Sequence, residues 1–396
     1  MTVGALDRTS SRGPLERCTG DADDFLRETW GRRANVRTNA EPGGFDDLLS
    51  LDDVDRFLMT TAIRTPFFRL VKAGEQIPES AYTRSGRTGS RNVDGMADPA
   101  RVAALFENGA TLVLQGLHRW SERVTRFCRD LELELGHQCQ ANAYITPAGA
   151  QGLSLHEDPH DVFVLQAFGR KRWQVHAAPE EADRAPIEAD IGPGDTIYMP
   201  AGTPHAASTQ DAISGHLTVG VHVTPWRAVL DDVWSSLPTH PSAAGLLPAG
   251  WHRDLEGFAR ELSERLASAA DIVRDTVDAE AIAHARAERF LSTRPQLARG
   301  AIERQGGTHD LGDTTALRRR VGSICELRLR DGVLVVMLGD RRLEMPAWLE
   351  PAMRRVAAAD TLVLRELAPE LPDPHSRAVL ARRLVREGLL AVEDDG

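Results

Sequence analysis

Lysine is almost missing. Of 47 basic residues only Lys72 and Lys171 are lysines, the rest being arginines. Abundant alanine accompanies this bias, as expected of a GC-rich bacterial genome, so a lysine retained at either position calls for a reason. Cysteine is also scarce: Cys18, Cys128, Cys139 and Cys325 include no C-x-x-C pair. That excludes a zinc ribbon and a thioredoxin-like motif and leaves reduced cysteines in a cytosolic protein. No apolar run reaches membrane-spanning length, and the first residues are polar without an apolar signal core. The expected location is therefore the cytoplasm. Positive charge is outweighed, with a net charge of −11, which argues against direct nucleic-acid binding as the main activity. A basic protein or peptide partner remains compatible with it.

The chain has 396 residues, 42% of them hydrophobic, enough for two or three domains with packed cores. Residues 1–20 lack periodicity and read as a disordered arm. A short helix is expected from Asp24 to Arg33 and another in FDDLLSLDDVDRFL (45–58), which opens on acidic residues. TPFFRLVKAG (65–74) reads as a strand and turn. A helical pattern begins at Pro99, ATLVLQGL (110–117) is strand-like, and SERVTRFCRDLELELG (121–136) is an amphipathic helix with a glycine stop. The texture then changes to short strands punctuated by Gly and Pro, at 140–149, 161–169, 171–177, 195–202 and 215–225. This pattern suggests a small barrel or jelly roll. Residues 251–292 read as two or three packed helices. Residues 325–346 read as strands about turns at Asp331-Gly332 and Gly339-Asp340, and helices follow at 347–358 and 375–387. Helices with a small β-wing suggest a winged helix.

Two His-x-Asp tripeptides stand out, His156-Glu157-Asp158 and His252-Arg253-Asp254. On a strand, residues i and i+2 point the same way, so such a tripeptide offers two metal ligands from one strand. Two imidazoles and one carboxylate leave half of the coordination sphere open, as iron(II) oxygenases require. Roughly one match arises by chance in a chain like this, so context must choose. His252 opens a helical pattern, where i and i+2 do not share a face. His156 lies between strand candidates. A third ligand would come from His160, His176, His205, His216 or His222. His205 closes GDTIYMPAGTPH (194–205), a strand and a Pro/Gly-shaped turn with the pattern of the second half of a cupin metal site.

With these residues the sequence becomes recognisable. NAYITPAGAQGLSLHEDPHDVFVLQAFGRKRWQVH (142–176), LLSLDDVDRFL, GATLVLQGLHRW (109–120) and GDTIYMPAGTPH together resemble the JmjC-type ribosomal oxygenases. That family includes histidyl and arginyl hydroxylases of ribosomal proteins. The resemblance implies an α+β chain divided into an arm (1–20), a JmjC/cupin double-stranded β-helix (21–230), a helical dimerisation region (231–310) and a winged-helix-like domain (311–396). It implies iron(II) held by His156, Asp158 and His205, with 2-oxoglutarate and O₂ as co-substrates. Lys171 falls on the residue that pairs with the distal carboxylate of 2-oxoglutarate. Asn142 and His216 fall on pocket positions, and Tyr144 falls beside the substrate. The implied partners are a protein or peptide substrate, foremost a ribosomal protein modified on Arg or His, and a second copy of the chain. A compact ammonium suits a buried carboxylate better than a guanidinium fork does, which agrees with a lysine at 171. Two departures are Leu155, where many relatives have proline, and Gly220, where some carry a pocket hydroxyl. Two further readings are a tailoring hydroxylase of a peptide natural product and a non-catalytic metal- or ligand-sensing cupin regulator.

Overall fold

The computed structural model describes residues 12–393 apart from 39–40, 42–43, 151–153, 177–185, 210, 237–245, 248, 250, 296–310 and 321. Contacts divide the chain into two compact units, Met1–Val223 and Thr224–Gly396.

The first unit opens with α1 (Pro14–Thr19), α2 (Ala22–Glu28), β1 (Asn35–Arg37) and α3 (Leu51–Thr60). It continues with β2 (Phe68–Lys72), β3 (Glu75–Gln76), the hairpin β4 (Thr83–Thr88) and β5 (Arg91–Ala97), α4 (Pro99–Glu107), β6 (Thr111–Leu114) and α5 (Glu122–Leu135). Then come β7 (Gln138–Thr146), β8 (Asp161–Phe168), β9 (Lys171–Val175), β10 (Ile187–Ile191), β11 (Thr196–Met199), β12 (His205–Thr209) and β13 (Ser214–His222). One antiparallel sheet runs β1-β11-β8-β13-β7-β6-β2-β3, and a three-stranded sheet runs β10-β9-β12.

Strand alternation sorts side chains between two layers. On β7, Cys139, Ala141, Ala143 and Ile145 join the large core with Phe127 and Leu131 of α5. Gln140, Asn142 and Tyr144 alternate to the other face. The central strand β8 is buried on both sides. Phe163 and Leu165 enter the large core, whereas Val162 and Val164 pack with Trp173, Val175, Ile197 and Met199. Each such side chain stabilises the fold by about 1.5–3 kcal/mol when fully buried. Helix boundaries follow local chemistry. Ser50 and Asp53 form a reciprocal capping box at α3, and Gly136 ends α5 in the left-handed region at φ 70°.

Two expectations need correction here, and one hairpin carried no sequence signal. Residues 14–19 are not a disordered arm: Leu15 and Cys18 are each 2% exposed. The Leu15 N–H donates to Glu134 Oε2 at 2.8 Å, and the Thr196 hydroxyl donates to the Cys18 carbonyl at 2.6 Å. Two apolar side chains in a polar stretch carry too little periodicity to reveal a helix that only tertiary contacts hold. Residues 1–11 lie outside the described residues. The second correction is that α2 runs Ala22–Glu28, its start set by the Asp21 cap on the Asp24 N–H, rather than Asp24–Arg33. Finally, the exposed hairpin β4–β5 was not anticipated, because its residues lack any hydrophobic alternation.

In the second unit, α6 (Trp226–Ser236), α7 (Leu255–Thr276) and α8 (Ala279–Ser292) precede β14 (Ala316–Arg319), β15 (Glu326–Arg330), β16 (Val333–Leu338) and β17 (Arg341–Pro346). They are followed by α9 (Glu350–Ala358), β18 (Thr361–Val363), α10 (Pro374–Arg386) and β19 (Leu390–Val392). The 251–292 pattern thus contains two α-helices, broken where Asp278 caps α8. Two three-stranded sheets form, β18-β14-β19 and β15-β16-β17. The β15–β16 turn sits at Asp331-Gly332, both at positive φ, as a tight hairpin demands. On β16, Leu334, Val336 and Leu338 enter the core with Met353 of α9 and Leu384 of α10. Val335 and Met337 pack with Leu291 of α8.

Candidate metal centre

His156 precedes β8, and His205 opens β12. The two are opposed in an isolated antiparallel bridge, His156 N–H donating to His205 O at 3.1 Å and His205 N–H to His156 O at 2.8 Å. Their rings lie 4.4 Å apart between centroids. Asp158 follows by two residues, and its carbonyl accepts from the Gly202 N–H at 2.8 Å. That bond ties the first tripeptide to the Pro200–Gly202 turn that delivers His205. One ligand atom from each of His156, Asp158 and His205 lies within 4.8 Å of the others.

The orientation of both rings is set by backbone carbonyls. His156 Nδ1 is 2.7 Å from Ser154 O, and His205 Nδ1 is 2.9 Å from Thr203 O. A carbonyl only accepts, so each ring carries a proton on Nδ1, which in the neutral tautomer leaves Nε2 as the lone pair. Burial also pushes the His205 imidazole below its ordinary pKa, with Thr203 and Asp158 partly opposing and His156 adding. The neutral form, the one a metal binds, is therefore favoured. Two neutral imidazoles and a carboxylate fit a divalent first-row metal.

Beneath this group lies an open cavity of about 460 Å³, including its solvent-facing part, lined among others by Tyr144, Thr146, Lys171, Trp173, His216 and Thr218. Lys171 is 1% exposed. Its ammonium is 3.0 Å from His216 Nδ1 and 3.5 Å from the Tyr144 carbonyl. No carboxylate pairs with it among the described residues. Burial pushes its pKa down to about 7. His216 is held well below the usual histidine range by burial, then by Lys171 and His205. Its ring stacks on Tyr144 at 5.2 Å and meets Trp173 edge-on at 5.2 Å. Burial raises the Tyr144 phenol, which Arg69 partly counters. The Trp173 indole N–H is also buried without a partner among the described residues.

Lys171, Tyr144 and His216 thus converge on one cavity with the His156–Asp158–His205 group. Asn142 does not line it. It sits two residues before Tyr144 on β7, where its Oδ1 accepts from the Gly116 N–H at 2.9 Å. His252 lies in an exposed turn, Trp251–Arg253, away from any such group. Trp173 packs in the core with Val162, Val164 and Val175. It is 4% exposed and also lines the cavity, a role legible in the alternation of KRWQV, where Lys171, Trp173 and Val175 share a face. Thr146 and its partner Thr111, at 3.2 Å, carried no sequence signal. At Gly220 the place of a pocket hydroxyl is taken: a Cβ there would lie 2.6 Å from His160 Nε2.

The sequence profile of the JmjC domain matches residues 117–229, which contain all three candidate ligands and Lys171. Over those residues the chain is similar to the JmjC domain. Ribosomal oxygenase 1 of Rattus norvegicus is 29% identical over 217 residues, covering 50% of this chain and 35% of its own length. A bifunctional lysine-specific demethylase and histidyl-hydroxylase, NO66 of Drosophila erecta, is 26% identical over 217 residues, covering 50% and 32%. The chain therefore spans about a third of the length of these curated relatives. Among solved structures, the ribosomal oxygenase YcfD of Escherichia coli in complex with cobalt and 2-oxoglutarate matches with a TM-score of 0.54 at 19% identity. That match covers 94% of this chain and 98% of the other. At that identity the likeness speaks for the fold, the JmjC/cupin type with mixed α and β content.

Proposed function

We propose that this protein is an iron(II)- and 2-oxoglutarate-dependent oxygenase that hydroxylates an amino-acid side chain in a protein or peptide. The observation that carries the reading is Lys171: a buried amine with no acidic partner among the described residues, on the floor of a cavity whose rim holds two histidines and an aspartate. A buried cation without a counter-charge is costly, and a dicarboxylate that also reaches the metal would relieve that cost. His156, Asp158 and His205 would hold the iron, and Lys171 the far carboxylate of 2-oxoglutarate. Bound there, iron(II) with 2-oxoglutarate and O₂ supplies the oxidising power to convert a C–H bond to C–OH, with release of succinate and CO₂.

The remaining roles belong to the chain. Lys171 takes up a proton as the dianion arrives. Tyr144 and His216 wall the co-substrate, and Asn142 braces Gly116 beside them. Val162, Val164 and Trp173 keep water from the reacting centre. The preferred substrate is a ribosomal protein, on Arg or His, which the named activities of the relatives support. A peptide natural product is the alternative.

The reading extends to the second unit, with residues 231–310 helping to form a homodimer and 311–396 forming a winged-helix-like domain. On α6, Trp226, Leu230 and Trp234 are 80%, 55% and 52% exposed at four-residue spacing, a stripe suited to a second copy. No helix among the described residues is long and apolar enough to cross a membrane, which is consistent with a cytoplasmic enzyme.

The test is anaerobic loading with iron(II) and 2-oxoglutarate, then succinate measurement on exposure to air, for wild type, His156→Ala and Lys171→Ala. Succinate from wild type alone supports the oxygenase. Tight iron binding without succinate, even with cell lysate as substrate, would transfer the weight to the metal-sensing regulator.

A further inference from the structure

We propose that the β4–β5 hairpin is a docking surface for the phosphate backbone of duplex RNA. From Thr83 to Asn92 its sequence is TRSGRTGSRN: three arginines, four hydroxyls and an asparagine, with no acidic and no apolar side chain. The two strands form a sheet of their own, and Arg84, Arg87, Arg91 and Asn92 are exposed. Arg87 stands opposite Asn92, and Thr88 opposite Arg91. At the base, Met96 pairs with Arg84 on one side and with Arg64 on the other, so Arg64 adds a fourth arginine across β5 from Arg84.

Elsewhere several of the chain's arginines are neutralised by acids. Arg17, Arg56, Arg123, Arg286 and Arg342 all meet carboxylates. On the hairpin, Arg64, Arg87 and Arg91 form no ion pair among the described residues, and Arg84 donates only to the Ala97 carbonyl at 3.3 Å. The nearby Glu79 is engaged by the Thr65 hydroxyl at 2.8 Å. Against Arg84, Arg87, Arg91 and the adjoining Arg64 the ribbon sets one exposed acid, Asp94, so a net positive charge remains, and a polyanion turns its self-repulsion into attraction. The net charge of −11 averages over this local surface.

The composition selects among polyanions. Its apolar residues Val93 and Met96 are only partly exposed, so the ribbon presents no fully exposed apolar or aromatic anchor of the kind a protein interface centres on. Without an aromatic ring it also lacks a platform on which unpaired bases stack. Arginine, serine, threonine and asparagine are the side chains that contact phosphate and sugar. The choice of RNA over DNA rests on the proposed action on a ribosomal protein, which sits among duplex RNA.

The test is fluorescence anisotropy of the full chain with a labelled 20-bp RNA duplex at several salt concentrations, comparing wild type with Arg84→Ala/Arg87→Ala/Arg91→Ala. Exposed positions leave the thermal transitions unchanged. The expected result is at least tenfold weaker binding by the variant at low salt, with a plot of log Kd against log salt shallower by about 2–3. Equal binding by both proteins, or none by wild type, would overturn the proposal. So would tighter binding of a poly-glutamate peptide, which would mark an acidic protein partner, or of a DNA duplex of equal length. Succinate formation in the same samples separates the two readings. A wild type that makes succinate but ignores RNA sinks this inference alone, and one that binds RNA without making succinate sinks the oxygenase.

Discussion

Replacing Lys171 by methionine should stabilise the apoprotein and abolish its co-substrate site together. Burial lowers the Lys171 pKa from 10.5 to about 7, because among the described residues the enclosed amine has only His216 and a carbonyl within reach. At about 1.4 kcal/mol per pH decade, charged Lys171 opposes folding by about 4 kcal/mol at pH 7. Methionine has similar length and no charge to desolvate. The thermal transition of the first unit should therefore rise by about 10 °C in the variant.

The sign of the pH dependence follows. Between pH 7 and 10.5 the unfolded wild type binds more protons than the folded one, so its stability rises with pH across that window. Below pH 7 the penalty is fully present. The variant should lack this slope. In the same window 2-oxoglutarate binding should draw a proton onto Lys171. At pH 8, calorimetry in buffers of different ionisation enthalpy should show uptake approaching one proton per ligand. Binding by the variant should weaken at least about 30-fold, the lower end of what losing one partner of a buried charge pair costs. A variant less stable than wild type that still binds 2-oxoglutarate normally would refute the reasoning.

Four other substitutions probe the rest of the protein. Asp158→Ala should weaken Mn(II) binding by more than about 100-fold in titration calorimetry, beyond what losing an outer-shell group costs. Asp254→Ala, in the other tripeptide, should leave that binding unchanged. Gly169→Ala should cost at least about 2 kcal/mol in urea unfolding, since Gly169 lies at φ 65° and its Cβ would meet the Ile213 carbonyl at 2.1 Å. Tyr198→Phe should cost about 1–3 kcal/mol, because the Tyr198 hydroxyl donates to buried Asp161 and accepts from the Gly31 N–H at 2.7 Å. An unchanged unfolding midpoint would show that water replaces both bonds.

Much of the site was legible before any fold was known. His156 and Asp158 are two residues apart, and that spacing has meaning on an extended backbone but little on a helix. The amphipathic period of α5 and the Asp331-Gly332 turn were equally local and equally readable. A lysine in a chain that otherwise uses arginine flagged position 171 without naming its surroundings. What the tertiary structure decided was non-local. The bridge between His156 and His205 joins residues 49 positions apart, and its two hydrogen bonds exist only once the sheets have closed. The missing carboxylate beside Lys171 is a property of the whole cavity wall, to which strands β7, β9 and β13 each contribute. Thr111 and Thr146 acquired their place by strand order alone. Residues 14–19 gained a helix from the core they seal, because burying Leu15 and Cys18 supplies what their local propensity does not. Local chemistry thus wrote the ligand types and the strand and helix periods, while long-range packing set their distances, their protonation and the charge left unpaired between them.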